Sequence, residues 1–225
     1  MPTGIKAAQA KAPPEAPLDC PLCPRLFDFR TTNAKAHPDW FNAPVASFGD
    51  TSGRLLIVGL APGLQGANRT GRPFTGDYAG DLLYSTLKKF GFSTGTYQAR
   101  PDDGLQLKDA LISNAVRCVP PENKPTGAEI LNCRQFLVSR INALPDLKVL
   151  IALGRIAHDS TVRALGAKPT VAVFGHNRRH VLSSPRGPLV LHDSYHCSRY
   201  NTNTGRLTEE MFHSVFAAAR KDLDG

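Results

Sequence analysis

Residues 55–77 read LLIVGLAPGLQGANRTGRPFTGD. The run 55–60 is apolar and has the length of a buried strand, far short of the ~20 residues of a membrane span. It passes directly into a stretch crowded with glycine and proline, where a chain must turn. Three more apolar runs end in turn-forming residues: 110–116, 149–153 and 189–192. Helical patterns lie between or after them. Residues 81–90 form the first. Thr126-Gly-Ala-Glu129 has the form of a capping box, and behind it Ile130, Cys133, Leu137, Ile141 and Leu144 recur at spacings of three and four. Residues 156–165 make a shorter helix. Thr208 caps a last one, whose Met211, Phe212, Val215, Phe216 and Ala219 face the core. Strands alternating with helices predict an α/β fold, a mostly parallel sheet covered on both faces.

The 225 residues fit one domain, and 41% hydrophobic residues is ordinary for a globular protein. The net charge of +8 suits a polyanionic partner such as nucleic acid. Residues 1–17 are rich in Ala, Pro and Lys and lack an apolar signal core, which predicts a disordered tail before a domain at 18–225. No membrane partner and a cytoplasmic location are the corresponding expectations.

In a parallel sheet, ligands bind beyond the carboxyl ends of the strands, so the post-strand loops are where chemistry belongs. The first has glycines but neither a Walker A sequence nor a dinucleotide fingerprint, which disfavours a nucleotide cofactor. Phe74, held between Pro73 and Gly76, suits stacking on a base as well as a place in the core. Asp77 fits a water-orienting base or a helix cap. In the second loop, Asn114 offers the donor and acceptor that a uracil edge requires, and Asn123 suits a water or phosphate contact. The fourth loop, 194–206, mixes hydroxyls, amides, arginines and His196. Of the five cysteines, Cys20 and Cys23 form a CxxC, and Cys118 and Cys133 supply two more thiols. Spacing alone fits an iron–sulfur cluster, zinc or plain buried thiols.

Taken in order, Gly59-Leu-Ala-Pro-Gly63, Asn68-Arg-Thr-Gly-Arg-Pro-Phe74-Thr-Gly-Asp77, Ala115-Val-Arg-Cys118-x-Pro-Pro-x-Asn123-Lys-Pro-Thr126, Ala152-Leu-Gly-Arg-Ile156 and Ser194-Tyr-His196-x-Ser-Arg-x-Asn201-Thr-x-Thr-Gly-Arg-Leu-Thr208 resemble the family 5 (type b) uracil-DNA glycosylases. The likeness spans residues 20–223. It implies a three-layer α/β/α fold with a short central sheet, here four parallel strands. It implies a structural [4Fe-4S] cluster on cysteines matching Cys20, Cys23, Cys118 and Cys133. It also implies catalytic roles for residues matching Asp77, Asn123 and His196, with Ala61 replacing the polar water-activating residue of related families and Phe74 stacking on the flipped base. Known family substrates include uracil, hypoxanthine and xanthine.

The reaction implied is hydrolysis of the N-glycosidic bond in DNA, leaving an abasic site, by a chain that suffices as a monomer. Arg69, Arg72, Ser198, Arg199 and Arg206 are the candidate DNA contacts. Three positions depart from the family pattern. Asn114 stands where related family 4 enzymes read uracil, Cys197 follows the histidine, and Tyr200 replaces a frequent Gln. The alternative function is a protein that traps uracil-DNA without turnover. Such superfamily members carry a basic, His-bearing insertion after the second strand, and 118–133 is short and has no His. A non-catalytic iron–sulfur or zinc module that binds nucleic acid is the further rival.

Overall fold

The computed structural model describes residues 13–225. The four apolar runs form parallel strands: β2 (Leu55–Gly59), β5 (Ala110–Asn114), β6 (Val149–Leu153) and β8 (Gly187–Ser194). The sheet is wider than expected from the sequence. Antiparallel edges are added by β1 (Phe48–Gly49) on β5 and β7 (Arg179–Ser184) on β8, so six strands run β1-β5-β2-β6-β8-β7. A separate two-stranded ribbon pairs β3 (Ser93–Thr94) with β4 (Gln106–Leu107).

Alternation along the strands fills both faces. In β2, Leu55 and Ile57 join the core beneath α3 (Tyr78–Lys89), which follows the single turn α2 (Ala67–Thr70), and α7 (Glu209–Asp224). Leu56 and Val58 join the opposite core beneath α4 (Gly127–Ala143) and α5 (Arg155–Ala164). Strands buried on both faces need no polar residue, which is why these runs read as unbroken apolar stretches. Asp77, Thr126 and Thr208 each accept a hydrogen bond from the first turn of the helix they precede, and Thr126 with Glu129 completes the capping box. Among the described residues no helix is long and apolar enough to cross a membrane.

Two segments were not foreseen. Helix α1 (Pro24–Ala36) buries only Leu26 and Arg30, too little to print a helical period on the sequence. The N-terminal boundary also moves. Residues 1–12 lie outside the described residues, but the expected disorder does not reach position 17. Glu15 accepts from the Ser47 amide (2.9 Å) and pairs with Arg117 (3.0 Å) and Arg140. Arg117 is fully buried, so Glu15 supplies the counter-charge that an interior guanidinium requires.

Candidate active site

The loops after β2, β5 and β8 enclose a cavity of about 750 Å³ over the carboxyl end of the sheet. Ala61, Phe74, Asp77, Asn114, Asn123 and His196 all line it. Segments more than a hundred residues apart in sequence thus meet in one space.

The cavity floor depends on a missing side chain. A Cβ on Gly59 would lie 2.4 Å from Asn114 Oδ1 and 2.6 Å from the Phe74 ring. Only glycine lets the aromatic and the amide close over the end of β2. Gly66 does the same for Asp77, whose Oδ2 would meet a Cβ there at 2.4 Å. Phe74 sits at φ +52°, a left-handed conformation costing an aromatic residue roughly 1–3 kcal/mol. Its surroundings hold it there. Tyr84 Oη donates to the Pro73 carbonyl (2.7 Å), and Tyr97 Oη donates to the Phe74 carbonyl (3.2 Å). The Phe74 ring faces His196 across the cavity, centroids 5.9 Å apart and planes inclined by 26°.

Burial pushes the His196 imidazole down to about 4, so the ring is neutral at pH 7. Asn201 fixes its backbone by donating to the His196 carbonyl (2.8 Å). Burial raises the Asp77 carboxyl above the usual aspartate range, although amides at Gly80 and Ala79 pull the other way. Asp77 is therefore both cap and cavity wall. Asn114 is 2% exposed, and its Oδ1 is buried without a hydrogen-bond partner. Such a group costs about 1–3 kcal/mol unless a ligand or water donates to it. Asn123 is exposed at the rim and, like Glu122 before it, adopts positive φ.

Around the mouth, Ser198 caps α6 (Arg199–Asn203), and the Arg199 guanidinium lies 5.3 Å from the Tyr78 ring centroid. Arg206 covers Tyr195 at 4.8 Å, and Arg69 is exposed beside Trp40 and Phe41. Arg72 departs from expectation. It is 4% exposed and bound through both terminal nitrogens to Asp103 (2.8 and 2.7 Å), so it is an interior residue and not a DNA contact. The two unusual residues of the last loop separate clearly. Cys197 is fully buried in the core, where its thiol faces the Ala79 carbonyl, whereas Tyr200 is 71% exposed. Leu64, Gln65 and Tyr78 also line the cavity, and nothing in their local sequence pattern distinguishes them.

Cys20, Cys23, Cys118 and Cys133 gather in a separate small space walled by Leu26, Val116 and Phe136. All four are free thiols. Burial pushes Cys118 up to about 12, and the neighbouring thiols add to the effect; Cys133 is pushed to about 11. The Arg117 amide donates to Cys133 Sγ (3.2 Å). Ala61 packs against this group while also lining the cavity, so the cysteine cluster abuts the site.

Residues 46–220 match the family model described as the uracil DNA glycosylase superfamily. The chain belongs to this superfamily. Its similarity to curated members falls mainly on type 5. A type-5 uracil-DNA glycosylase from Thermus thermophilus is 41% identical over 90% of this chain and 93% of the relative. One from Pyrobaculum aerophilum is 37% identical, covering 91% and 89%. A type-4 uracil-DNA glycosylase from Thermotoga maritima is 36% identical over a shorter span, 79% and 84%. The α/β fold built on a mostly parallel sheet is the one expected of a uracil-DNA glycosylase superfamily member.

Proposed function

We propose that the protein is a monofunctional DNA glycosylase that extrudes uracil from DNA and hydrolyses its N-glycosidic bond, with hypoxanthine and xanthine as further substrates. The orphaned Asn114 Oδ1 carries this reading. It is a buried acceptor beside an aromatic face and opposite a neutral imidazole. A flipped uracil fits those three demands: its N3–H donates to Oδ1, its ring lies on Phe74, and His196 donates to a carbonyl oxygen. A cavity of about 750 Å³ leaves room for a purine.

When the C1′–N bond breaks, its electron pair leaves with the base. The hydrogen bond from His196 stabilises that anion, and the Asp77 carboxylate stabilises the cationic sugar. Water then adds at C1′, oriented by Asp77 and Asn123, and its proton ends on the departing base. No lysine nucleophile is needed. Arg69, Ser198, Arg199 and Arg206 bind phosphates around the mouth, and one chain contains every group required.

A [4Fe-4S] cluster fits the four cysteines. Their thiols cluster without disulfides in an apolar space, and burial makes Cys23, Cys118 and Cys133 costly to ionise without a metal partner. Thiolates of Cys20, Cys23, Cys118 and Cys133 would hold the cluster, which would tie the N-terminal segment to the loop that carries Asn123 and to α4. Protein purified without oxygen is expected to carry about four irons and four sulfides per chain. Cys118→Ser should lose both and melt at lower temperature.

The proposed activity is tested with oligonucleotides bearing single uracil, hypoxanthine or xanthine bases. Multiple turnover of abasic product is expected. A stoichiometric adduct would replace the enzyme with a trapping protein, and the absence of both would reduce it to a binding module. Asn114→Ala should lower kcat/KM for uracil by about tenfold or more.

A further inference from the structure

The proposed reaction leaves unused a buried cluster of one carboxylate and two histidines. Asp193, near the end of β8, is fully buried and collects three partners. His158 Nδ1 of α5 lies 2.6 Å from its Oδ1, while His180 Nε2 of β7 (2.9 Å) and the Gly175 amide (3.2 Å) meet its Oδ2. His158 is equally buried, and its Nε2 lies 2.7 Å from the Ala172 carbonyl. The Gly175 amide makes Oδ2 an acceptor, and both nitrogens of His158 face acceptor oxygens, Asp193 Oδ1 and the Ala172 carbonyl. A ring that donates from both nitrogens is an imidazolium. The three side chains stand close enough together to resemble a metal site. A metal would need a free lone pair on His158, and neither nitrogen has one to spare.

This cluster reaches the active site through the backbone. The Asn177 amide donates to the Asp193 carbonyl (2.8 Å), and the Asp193 amide donates to Arg178 (2.9 Å). At the next residue, the Ser194 carbonyl accepts from the Gly154 amide (2.8 Å) at the start of α5. The Tyr195 amide then donates to His176 Nδ1 (3.2 Å), whose ring stacks on Tyr195 at 4.9 Å. Residues 193–195 are thus pinned one after another by the 175–178 loop and the start of α5. His196 comes next.

We propose that Asp193 is a positioning residue for His196, and that a buried Asp193–His158 imidazolium pair holds the 175–178 loop beneath the strand end from which His196 projects. The inference rests on the role given to His196 above.

The groups around His158 are Asp193 on β8, His180 on β7 (ring centroids 5.3 Å apart), Phe174 at 5.5 Å and Asp159 on its own helix. Burial alone would push the His158 proton off, but the hydrogen bond and charge of Asp193 outweigh it and raise the pKa above the ordinary histidine value. The pair is therefore complete below about 6.5 and is lost as pH rises through the raised pKa. An alkaline limb in kcat follows, because a neutral His158 keeps one ring proton and gives up its hydrogen bond to either Asp193 or the Ala172 carbonyl, which loosens the support of the loop.

Nitrogen-15 spectra of the parent at about pH 6, below the ordinary histidine value, should show one histidine with two slowly exchanging ring protons, absent from His158→Gln. That variant keeps a donor toward Asp193 but not the charge. Its kcat for uracil release should fall on the order of tenfold with KM unchanged, and the alkaline limb should disappear. A single ring proton on His158 would overturn the proposal, as would a His158→Gln enzyme with parental kcat and alkaline limb. Should the variant not fold, the parent spectrum decides. That spectrum does not depend on activity, so it separates failure here from failure of the role given to His196.

Discussion

His196→Ala is expected to lower kcat for uracil release by about 10²–10³ while leaving KM close to the parental value, measured by single-turnover cleavage of a uracil oligonucleotide. The histidine faces charge that develops only as the glycosidic bond opens, so its removal affects the transition state more than the bound substrate. Burial holds this ring near pKa 4, and a neutral imidazole donates one hydrogen bond without carrying a charge into the pocket. The parental rate should therefore show no break near pH 6.5, the ordinary histidine value. The acid limb belongs to Asp77 instead. Its carboxyl is raised by burial, so the active carboxylate is lost as pH falls through a value above the usual aspartate range. A clear break near 6.5 that vanishes in His196→Ala would mean that the imidazole works in its charged form. Parental activity in that variant would remove His196 from the mechanism.

The sequence carried the four parallel strands and the caps of α3, α4 and α7 because each depends on local chemistry. A strand buried on both faces must be apolar throughout, and a capping box announces itself within four residues. The edges were not legible for the opposite reason. Strand β7 reads RHVLSS and leaves all but Leu182 at least partly open, so no hydrophobic alternation marks it. Strand β1 has only two residues. At the site, residue types pointed to Phe74, Asp77, Asn114 and His196, but not to what makes them a pocket. That required knowing that Gly59 runs beneath Phe74 and Asn114, a contact set by the fold. The network at Asp193 was hidden because its partners come from α5, β7 and a distant loop. Glu15 lies in a stretch of tail composition, and composition says nothing about a buried arginine a hundred residues away.

Arg72 is where residue type misled, and its replacement has a large expected effect on stability. An arginine in a glycine-rich loop beside the site has the appearance of a phosphate contact. In the structure its side chain is 5% exposed and that of Asp103 is 0%. The guanidinium also lies 5.0, 5.4 and 5.7 Å from the rings of Phe48, Tyr84 and Tyr97, and Nε donates to Thr75 Oγ1 (2.7 Å). Arg72→Ala strands the Asp103 carboxylate in the interior, a loss of about 3–5 kcal/mol. Urea denaturation should show this as a lower midpoint, and Arg72→Ala/Asp103→Ala should cost less than the two single changes added together. Arg72 holds Asp103 well below the usual carboxylate range, so the pair stabilises the fold above about pH 3.9 and loses that effect as pH falls toward the lowered value. Thr75 adjoins Phe74, so the turn bearing the stacking ring loosens and activity falls as well. DNA binding separates the two roles. At a temperature where the variant is folded, the salt dependence of binding should keep its parental slope in Arg72→Ala, and that slope should decrease by about one in Arg199→Ala. A reduced slope with parental stability in Arg72→Ala would return this residue to the DNA surface. The ion pair predicts the reverse, because a guanidinium buried against a carboxylate exposes no donor to a phosphate.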